Sequence, residues 1–300
     1  MTVIVVGAGI AGLACARELV DAGIPARVIE RGRVVGGRLA SKRFDDRYAD
    51  IGAAYLTADD PAFQGRLDSW RVAGLARPWT DTFAVAPSSE PGAGFGSTTG
   101  PMRWAAPGGL RSLADDLARE LDVTLEHEVR ALPEADAVVL AMPGPQAERI
   151  APVGVPQEWS PVLAGVMTFR ERGWPDFHGM FVNEHPVLAT VCDDGDRRGD
   201  RAPVLVAHST GDFARPRLSD PLAAAGELET AVRKLLDLPP AESVRVHRWT
   251  YAQPAPGADL FHRQGDLYVC GDAFGKPRVQ TAWLSGRAVA RDLIAQSKLR

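Results

Sequence analysis

Cysteine is scarce in this 300-residue chain: Cys15, Cys192 and Cys270 are odd in number and far apart. That pattern excludes a disulfide framework and a C-x-x-C metal site, and it leads us to expect a reducing, cytoplasmic setting. Excess positive charge is missing too. A formal charge of −4 at pH 7 offers no footprint for a phosphate chain, so nucleic acid is not an expected partner. Long apolar runs are also lacking, because the hydrophobic start at Val3 is broken by Gly7, Gly9, Gly12, Arg17 and Glu18. Neither a signal peptide nor a membrane span fits that segment. Internal repeats and low-complexity tracts are absent as well. What remains is a globular composition, 45% apolar and 24% charged, sufficient for one large core or two modest ones.

Residues 2–6 read as a short buried parallel strand, β-branched and ended by glycine. A helix follows, with Ile10, Leu13, Ala14, Ala16, Leu19 and Val20 on its apolar face, Arg17, Glu18 and Asp21 toward water, and Gly23 and Pro25 as its stop. Residues 26–29 supply a second strand and complete a βαβ unit. The spacing of Phe63, Leu67 and Trp70 predicts a helix over 61–73, whereas the Pro, Gly and Ser of 78–100 read as a loop beside a cleft. Leu110, Leu113, Leu117 and Leu121 repeat at helical spacing, and strands at 123–125 and 137–142 follow. Between residues 160 and 247 short runs of mixed polarity (162–169, 179–182, 203–208) predict an antiparallel sheet with one covered face, interrupted by a single helix over 221–236. A buried strand at 267–270 and a helix from Val279 bring the carboxyl end back to the first unit, with Ala282, Val289, Leu293 and Ile294 inward.

Gly7-Ala8-Gly9-Ile10-Ala11-Gly12 matches G-x-G-x-x-G between strand and helix, where amide N–H groups face a pyrophosphate. Gly7 permits the turn, Gly9 clears room for phosphate, and Gly12 lets helix press on strand. Glu30, about 20 residues on, can accept hydrogen bonds from ribose hydroxyls. FAD and NAD share this fingerprint, so it leaves the dinucleotide open. Two further segments favour FAD. Gly36-Gly37-Arg38 combines close backbone approach with a cation for the pyrophosphate, and Ala49-Asp50-Ile51-Gly52-Ala53-Ala54-Tyr55 follows it. Judged alone, that stretch is also compatible with a surface hairpin. Gly271-Asp272 ends the last strand, where an aspartate can hold a ribityl hydroxyl and the next helix N-terminus can stabilise a reduced flavin.

The ordered set of GAGIAG, Glu30, GGR at 36–38, ADIGAAY at 49–55, HRWTYAQPA at 247–255 and GD with VQTAWLSGRAVA at 279–290 resembles the renalase-like flavoproteins, small relatives of the flavin amine oxidases. The resemblance implies an α/β fold like that of p-hydroxybenzoate hydroxylase. In it, a Rossmann-type FAD-binding domain (1–75, 107–150 and 262–300) accompanies a smaller mixed or antiparallel β-sheet substrate domain (76–106 and 151–261). It implies noncovalent FAD held by Gly7, Gly9, Ile10, Ala11, Gly12, Glu30, Arg31, Gly37, Arg38, Gly52, Ala53, Ala54, Val129, Met142, Gly271, Asp272, Val279 and Ala282. It places the substrate against Tyr55, Pro101, Arg103, Trp104, Asn183 and Gln280, the last standing where the family commonly has an acidic side chain. The implied activity is oxidation of misreduced dihydronicotinamide isomers, 2- or 6-dihydro-NAD(P), to NAD(P)+ by hydride transfer to flavin N5, with O2 or a quinone taking the electrons onward.

Such a reaction asks for geometry more than acid-base help, since rearomatisation drives it, and no general base is assigned. His178, His185, His208 and His247 have no tight metal-ligand spacing. Arg170, Arg172, Arg197, Arg198 and Arg201 read as a solvated run rather than a phosphate site. Two rival readings stand: a small-amine oxidase, for which Lys42, Lys234, Lys276 and Lys298 offer no obvious flavin-facing lysine, and a noncatalytic FAD-binding sensor.

Overall fold

A computed structural model describes residues 1–44, 47–86 and 95–298. The amino-terminal half contains β1 (Val3–Val6), α1 (Ile10–Asp21), β2 (Ala26–Ile29), β3 (Ser41–Phe44), β4 (Arg47–Asp50), α2 (Pro61–Val72), β5 (Arg77–Ala86), β6 (Gly96–Ala105), α3 (Arg111–Ala118), β7 (Asp122–Thr124), β8 (Ala137–Leu140) and α4 (Gly144–Ala147). The remainder contains β9 (Trp159–Thr168), β10 (Gly179–Val182), β11 (Leu188–Asp193), α5 (Asp194–Arg198), β12 (Val204–Ser209), α6 (Gly211–Ala214), α7 (Ala225–Leu236), β13 (Ser243–Pro254), β14 (His262–Gln264), β15 (Leu267–Val269) and α8 (Val279–Ser297).

The apolar runs of β1, β2, β8 and β15 are nearly free of charge because they pair in parallel at the centre of one sheet, ordered β14-β15-β8-β1-β2-β7, where α1, α3 and α8 cover one face and Ala147 of α4 with Ala151, Val153 and Phe274 covers the other. Only β14 runs antiparallel, at the edge. This is the Rossmann-type half, and its core joins the two ends of the sequence: Leu13, Cys15 and Leu19 of α1 pack with Trp283, Val289 and Leu293 of α8. Gly286 makes that crossing tight, since a Cβ there would lie 1.9 Å from the Ala11 carbonyl oxygen. Arg17 and Glu18 do not simply face water as expected. Arg17 donates to the Leu117 carbonyl at 3.2 Å, and Glu18 accepts from Arg287 at 2.7 Å, so both tie α1 to its neighbours.

The second sheet is ordered β13-β9-β12-β11-β10-β5-β6 and is antiparallel except where β10 meets β5. Three expectations change here. The stretch read as a loop, 78–100, forms most of the β5–β6 hairpin, with residues 87–94 outside the described part. Pro78 sits beside a register shift and Pro101 on the edge strand β6, the places where a missing N–H is tolerated. The expected single helix is accompanied by α5 and α6. Both faces of the sheet are covered: Leu163, Met167 and Leu205 pack under Leu228 and Val232 of α7, while Ala164, Val166, Val204 and Val206 pack against Ala49 and Ile51. The second contact brings the sheet onto the ADIGAAY segment. No helix among the described residues is long and apolar enough to cross a membrane.

Candidate active site

The glycine loop has the geometry its motif asks for. Gly7 lies at φ +108°, and a Cβ there would come 2.6 Å from the Ala141 carbonyl oxygen; at Gly12 it would come 2.0 Å from that of Gly7. At Gly9 a Cβ would meet nothing within 4 Å, so open space lies in front of the α1 N-terminus. Ile10 and Ala11 are buried in the first turn behind it. The Glu30 carboxylate accepts the Ala8 N–H at 2.9 Å and the Gly32 N–H at 2.7 Å, and each oxygen retains a lone pair for a ribose hydroxyl. Arg31 is exposed beside it, while Val129 and Met142 are half-buried against Val6, Val138 and Leu140.

The glycine pair approaches backbone rather than standing apart. Gly36 donates to the Ala8 carbonyl at 2.8 Å, and a Cβ on Gly37 (φ +53°) would lie 3.2 Å from the Gly9 Cα. The first and second loops are thus pressed together. Gly52 is packed as closely, 1.9 Å from the Arg38 carbonyl oxygen to a hypothetical Cβ, and the Ala53 N–H donates to that same carbonyl at 2.9 Å. Arg38 and Asp272, read separately from the sequence, are partners here. The guanidinium donates to Asp272 at 2.7 Å and to the Ala252 carbonyl at 3.0 Å, and it stacks 5.0 Å from the Trp159 ring centre. Beside them Gly271 donates to Ser285 Oγ at 3.0 Å, and Val279 and Ala282 open α8. Trp159 brings a buried indole N–H that has no partner among the described residues. A fixed cation, an aspartate, an orphan donor, a clear helix N-terminus and the Gly9 space fit an anionic dinucleotide such as FAD.

Tyr55 leads from this cluster to an aromatic wall. Its ring meets Phe83 edge-on at 5.3 Å; Phe83 touches Trp79 at 5.5 Å and Phe181 at 5.1 Å. Arg103 lies over Phe83 at 4.2 Å, Tyr55 at 5.3 Å and Phe181 at 5.8 Å. It is 6% exposed, donates to the Asp81 carbonyl at 2.6 Å and leaves Nε without a partner among the described residues. The other residues assigned to this pocket scatter. Trp104 follows Arg103 on β6, and its ring enters the Rossmann-side core while its backbone pairs with Leu56. Pro101 and Asn183 are exposed. Gln280 is 2% exposed and accepts the Asp59 and Asp60 N–H groups at 2.8 and 3.2 Å, an amide committed to a turn. Phe83, Phe181 and Trp79 were missed; the alternation of Trp79, Phe83 and Val85 was the available signal.

The expected solvated arginine run is in fact split by burial. Arg170 and Arg201 are exposed, but Arg172 pairs with Asp193, and the buried Arg197 and half-buried Arg198 pair with Asp50 and Asp194. Burial opposes ionisation of Asp194, yet Arg197, Arg47 and Arg198 outweigh it and hold its carboxyl below the usual range. For Asp50 burial prevails over Arg197 and Arg198 and pushes the carboxyl up. At the outer edge of the wall, His178 Nδ1 lies 2.6 Å from Asp196, which also accepts the Trp79 indole N–H at 2.6 Å. No group of three metal-ligating side chains among the described residues could hold an ion.

The family model for flavin-containing amine oxidoreductases matches residues 88–294, and one for NAD(P)-binding Rossmann-like domains matches residues 5–70. Putrescine oxidase from Kocuria rosea is 42% identical over 66 residues, covering 22% of this chain and 14% of that protein. L-amino-acid oxidase from Siganus canaliculatus is 39% identical over 64 residues, 21% and 12% of the two chains. These curated relatives are therefore matched over a small part of their length. Wild-type putrescine oxidase bound to putrescine superposes with a TM-score of 0.77 at 18% identity, over 98% of this chain and 99% of the other. A protein assigned as a protoporphyrinogen oxidase, from Exiguobacterium sp. 255-15, gives 0.78 at 14% identity, over 99% of each chain. At these identities the likeness establishes the fold.

Proposed function

The chain belongs to the flavin-containing amine oxidoreductase family, with FAD as its cofactor, and from that premise we propose that it is a renalase-like oxidase of misreduced dihydronicotinamide isomers. The substrates would be 2- or 6-dihydro-NAD(P), the products NAD(P)+, and the final electron acceptor O2 or a quinone. Residues 1–75, 107–150 and 262–300 would hold FAD, and 76–106 with 151–261 would wall the substrate. The observation that carries this reading is Arg103, a buried guanidinium in the aromatic wall that forms no ion pair among the described residues. A substrate that is flat at one end and anionic elsewhere suits aromatic faces beside a fixed cation. An ammonium about 5 Å from that guanidinium would be opposed by about 3 kcal/mol at an effective dielectric of ~20, roughly a hundredfold in affinity.

Bound FAD supplies the two-electron acceptor. The chain's own contribution is placement: Glu30 and the helix N-terminus of α1 orient the dinucleotide, Arg38 and Asp272 border it, and Tyr55 with Arg103 hold the substrate face. Family membership and the likeness to putrescine oxidase favour a second reading, oxidation of a small amine. Anaerobic mixing separates the two. Bleaching of the flavin by 2- and 6-dihydronicotinamide dinucleotides, and not by a panel of amines, is expected; bleaching by amines alone would overturn the proposal. Replacing Arg103 by Leu should raise KM for the dinucleotide at least tenfold, and Tyr55→Ala should slow reduction while FAD stays bound.

A further inference from the structure

Arg197, on the five-residue helix α5 of the second sheet, is 1% exposed. A guanidinium this deep costs several kcal/mol to desolvate unless its donors are met, so the groups that meet it are informative. Nε donates to Asp194 Oδ1 at 3.1 Å. One terminal nitrogen donates to the Ala54 carbonyl at 2.9 Å, and the other to the Asp50 carbonyl at 2.9 Å as well as to Asp194. Those carbonyls bracket the turn that carries Gly52, the residue packed on the Arg38 backbone. The helix that delivers Arg197 is itself fixed. A Cβ on Gly195 would lie 2.1 Å from the Ala202 carbonyl oxygen, and Arg47 grips the Asp194 carboxylate from the outer side.

We propose that Arg197 is a positioning residue: it clasps the carbonyls of Asp50 and Ala54 and so sets the backbone of residues 52–55 against the flavin, which makes the second sheet a determinant of cofactor geometry in the first. The inference rests on the reading that residues 52–55 face the flavin. A planar fork spans two carbonyls and a carboxylate at once; an ammonium offers no such fork. Lysine is therefore an informative replacement, because it keeps the charge and loses the clasp.

The test uses FAD-loaded Arg197→Lys. Amide exchange at 51–54 should accelerate at least tenfold, the visible circular dichroism of the flavin should change, and flavin reduction should slow about tenfold with KM within twofold. Should that variant not fold, Asp194→Asn carries the same test, since it keeps the shape and withdraws the anchoring charge. Unchanged exchange at 51–54 overturns the clasp and leaves the functional reading intact. Faster exchange with unaltered flavin dichroism and rate shows instead that 52–55 does not face the flavin, which removes both the proposal and the reading beneath it.

Discussion

Glu30 carries two loads that a single substitution separates. Its oxygens accept N–H groups from Ala8 and Gly32, ordering the loop in front of α1, and the same carboxylate is the ribose acceptor of our reading. Hydrogen bonds to a charged acceptor contribute about 1.5–3 kcal/mol each. Glu30→Ala should therefore weaken FAD binding by about ten- to a hundredfold, measured by fluorescence titration of apoprotein, while Glu30→Gln, which keeps one acceptor oxygen, should lose less. A second side chain makes a prediction in pH. The hydrogen bond to Asp196 raises the His178 pKa against the opposing effect of burial, and burial notwithstanding, His178 and Trp79 lower that of Asp196. The raised histidine stabilises the fold below its ordinary value of about 6.5 and loses that effect as pH rises through its folded value. The lowered aspartate stabilises above its ordinary value of about 4 and loses the effect as pH falls. The contact is thus strongest between those limits. NMR titration should show the His178 midpoint falling in Asp196→Asn, and an unmoved midpoint would refute the pairing.

At the scale of elements, the α1–α8 crossing joins the two ends of the chain, with α1 starting directly after Gly9 and α8 capped by Arg278 after the turn that begins at Gly271. Gly286→Ala places a methyl 1.9 Å from the Ala11 carbonyl oxygen, and backbone cannot yield as a side chain can. Overpacking of this kind costs typically 1–3 kcal/mol. We expect a melting temperature lower by several degrees and a smaller flavin-to-protein absorbance ratio, read by calorimetry and by the visible spectrum of the purified protein. Gly286 was not singled out in the sequence, although the strand, turn and helix of residues 3–21 and the strand at 26–29 were legible, because hydrophobic period and glycine spacing are local signals. The β5–β6 hairpin was illegible for a related reason. Its prolines and glycines read as punctuation, and only the sheet shows that Pro101 falls on an edge. Glu30, Arg38, Asp272 and Tyr55 could be named from motifs, whereas the mutual pairing of Arg38 with Asp272 and the wall of Phe83 and Phe181 depend on contacts between distant segments. Arg197 was misjudged because a run of alternating charge looks solvated until something shows which member turns inward.

For the whole molecule, the face of the second sheet that meets residues 49–51 is where the two halves hold together, and two histidines stand on it. His208 of β12 and His247 of β13 both pair with Ala164 of β9, so their side chains share the face that packs on Ala49 and Ile51. His208 Nε2 is out of contact with solvent, although the residue as a whole is part-exposed. Burial, with the nearby charge of Arg197, pushes the His208 pKa down to about 4; burial, with Lys42 and Arg248, does the same for His247, to about 4. In the unfolded chain both would protonate near 6.5, so between that value and about 4 the unfolded state binds more protons and folding weakens as pH falls. Protonation would place new positive charge beside Arg197, Lys42 and Arg248, at the junction that supports residues 52–55. Acidification from pH 7 to 4.5 should therefore lower the urea midpoint and release flavin over the same interval. The double variant His208→Gln, His247→Gln should flatten that dependence while leaving the spectrum at pH 7 unchanged. If wild-type midpoints stayed level across the interval, these imidazoles would be hydrated in solution and the two sheets would not be closed over them as described.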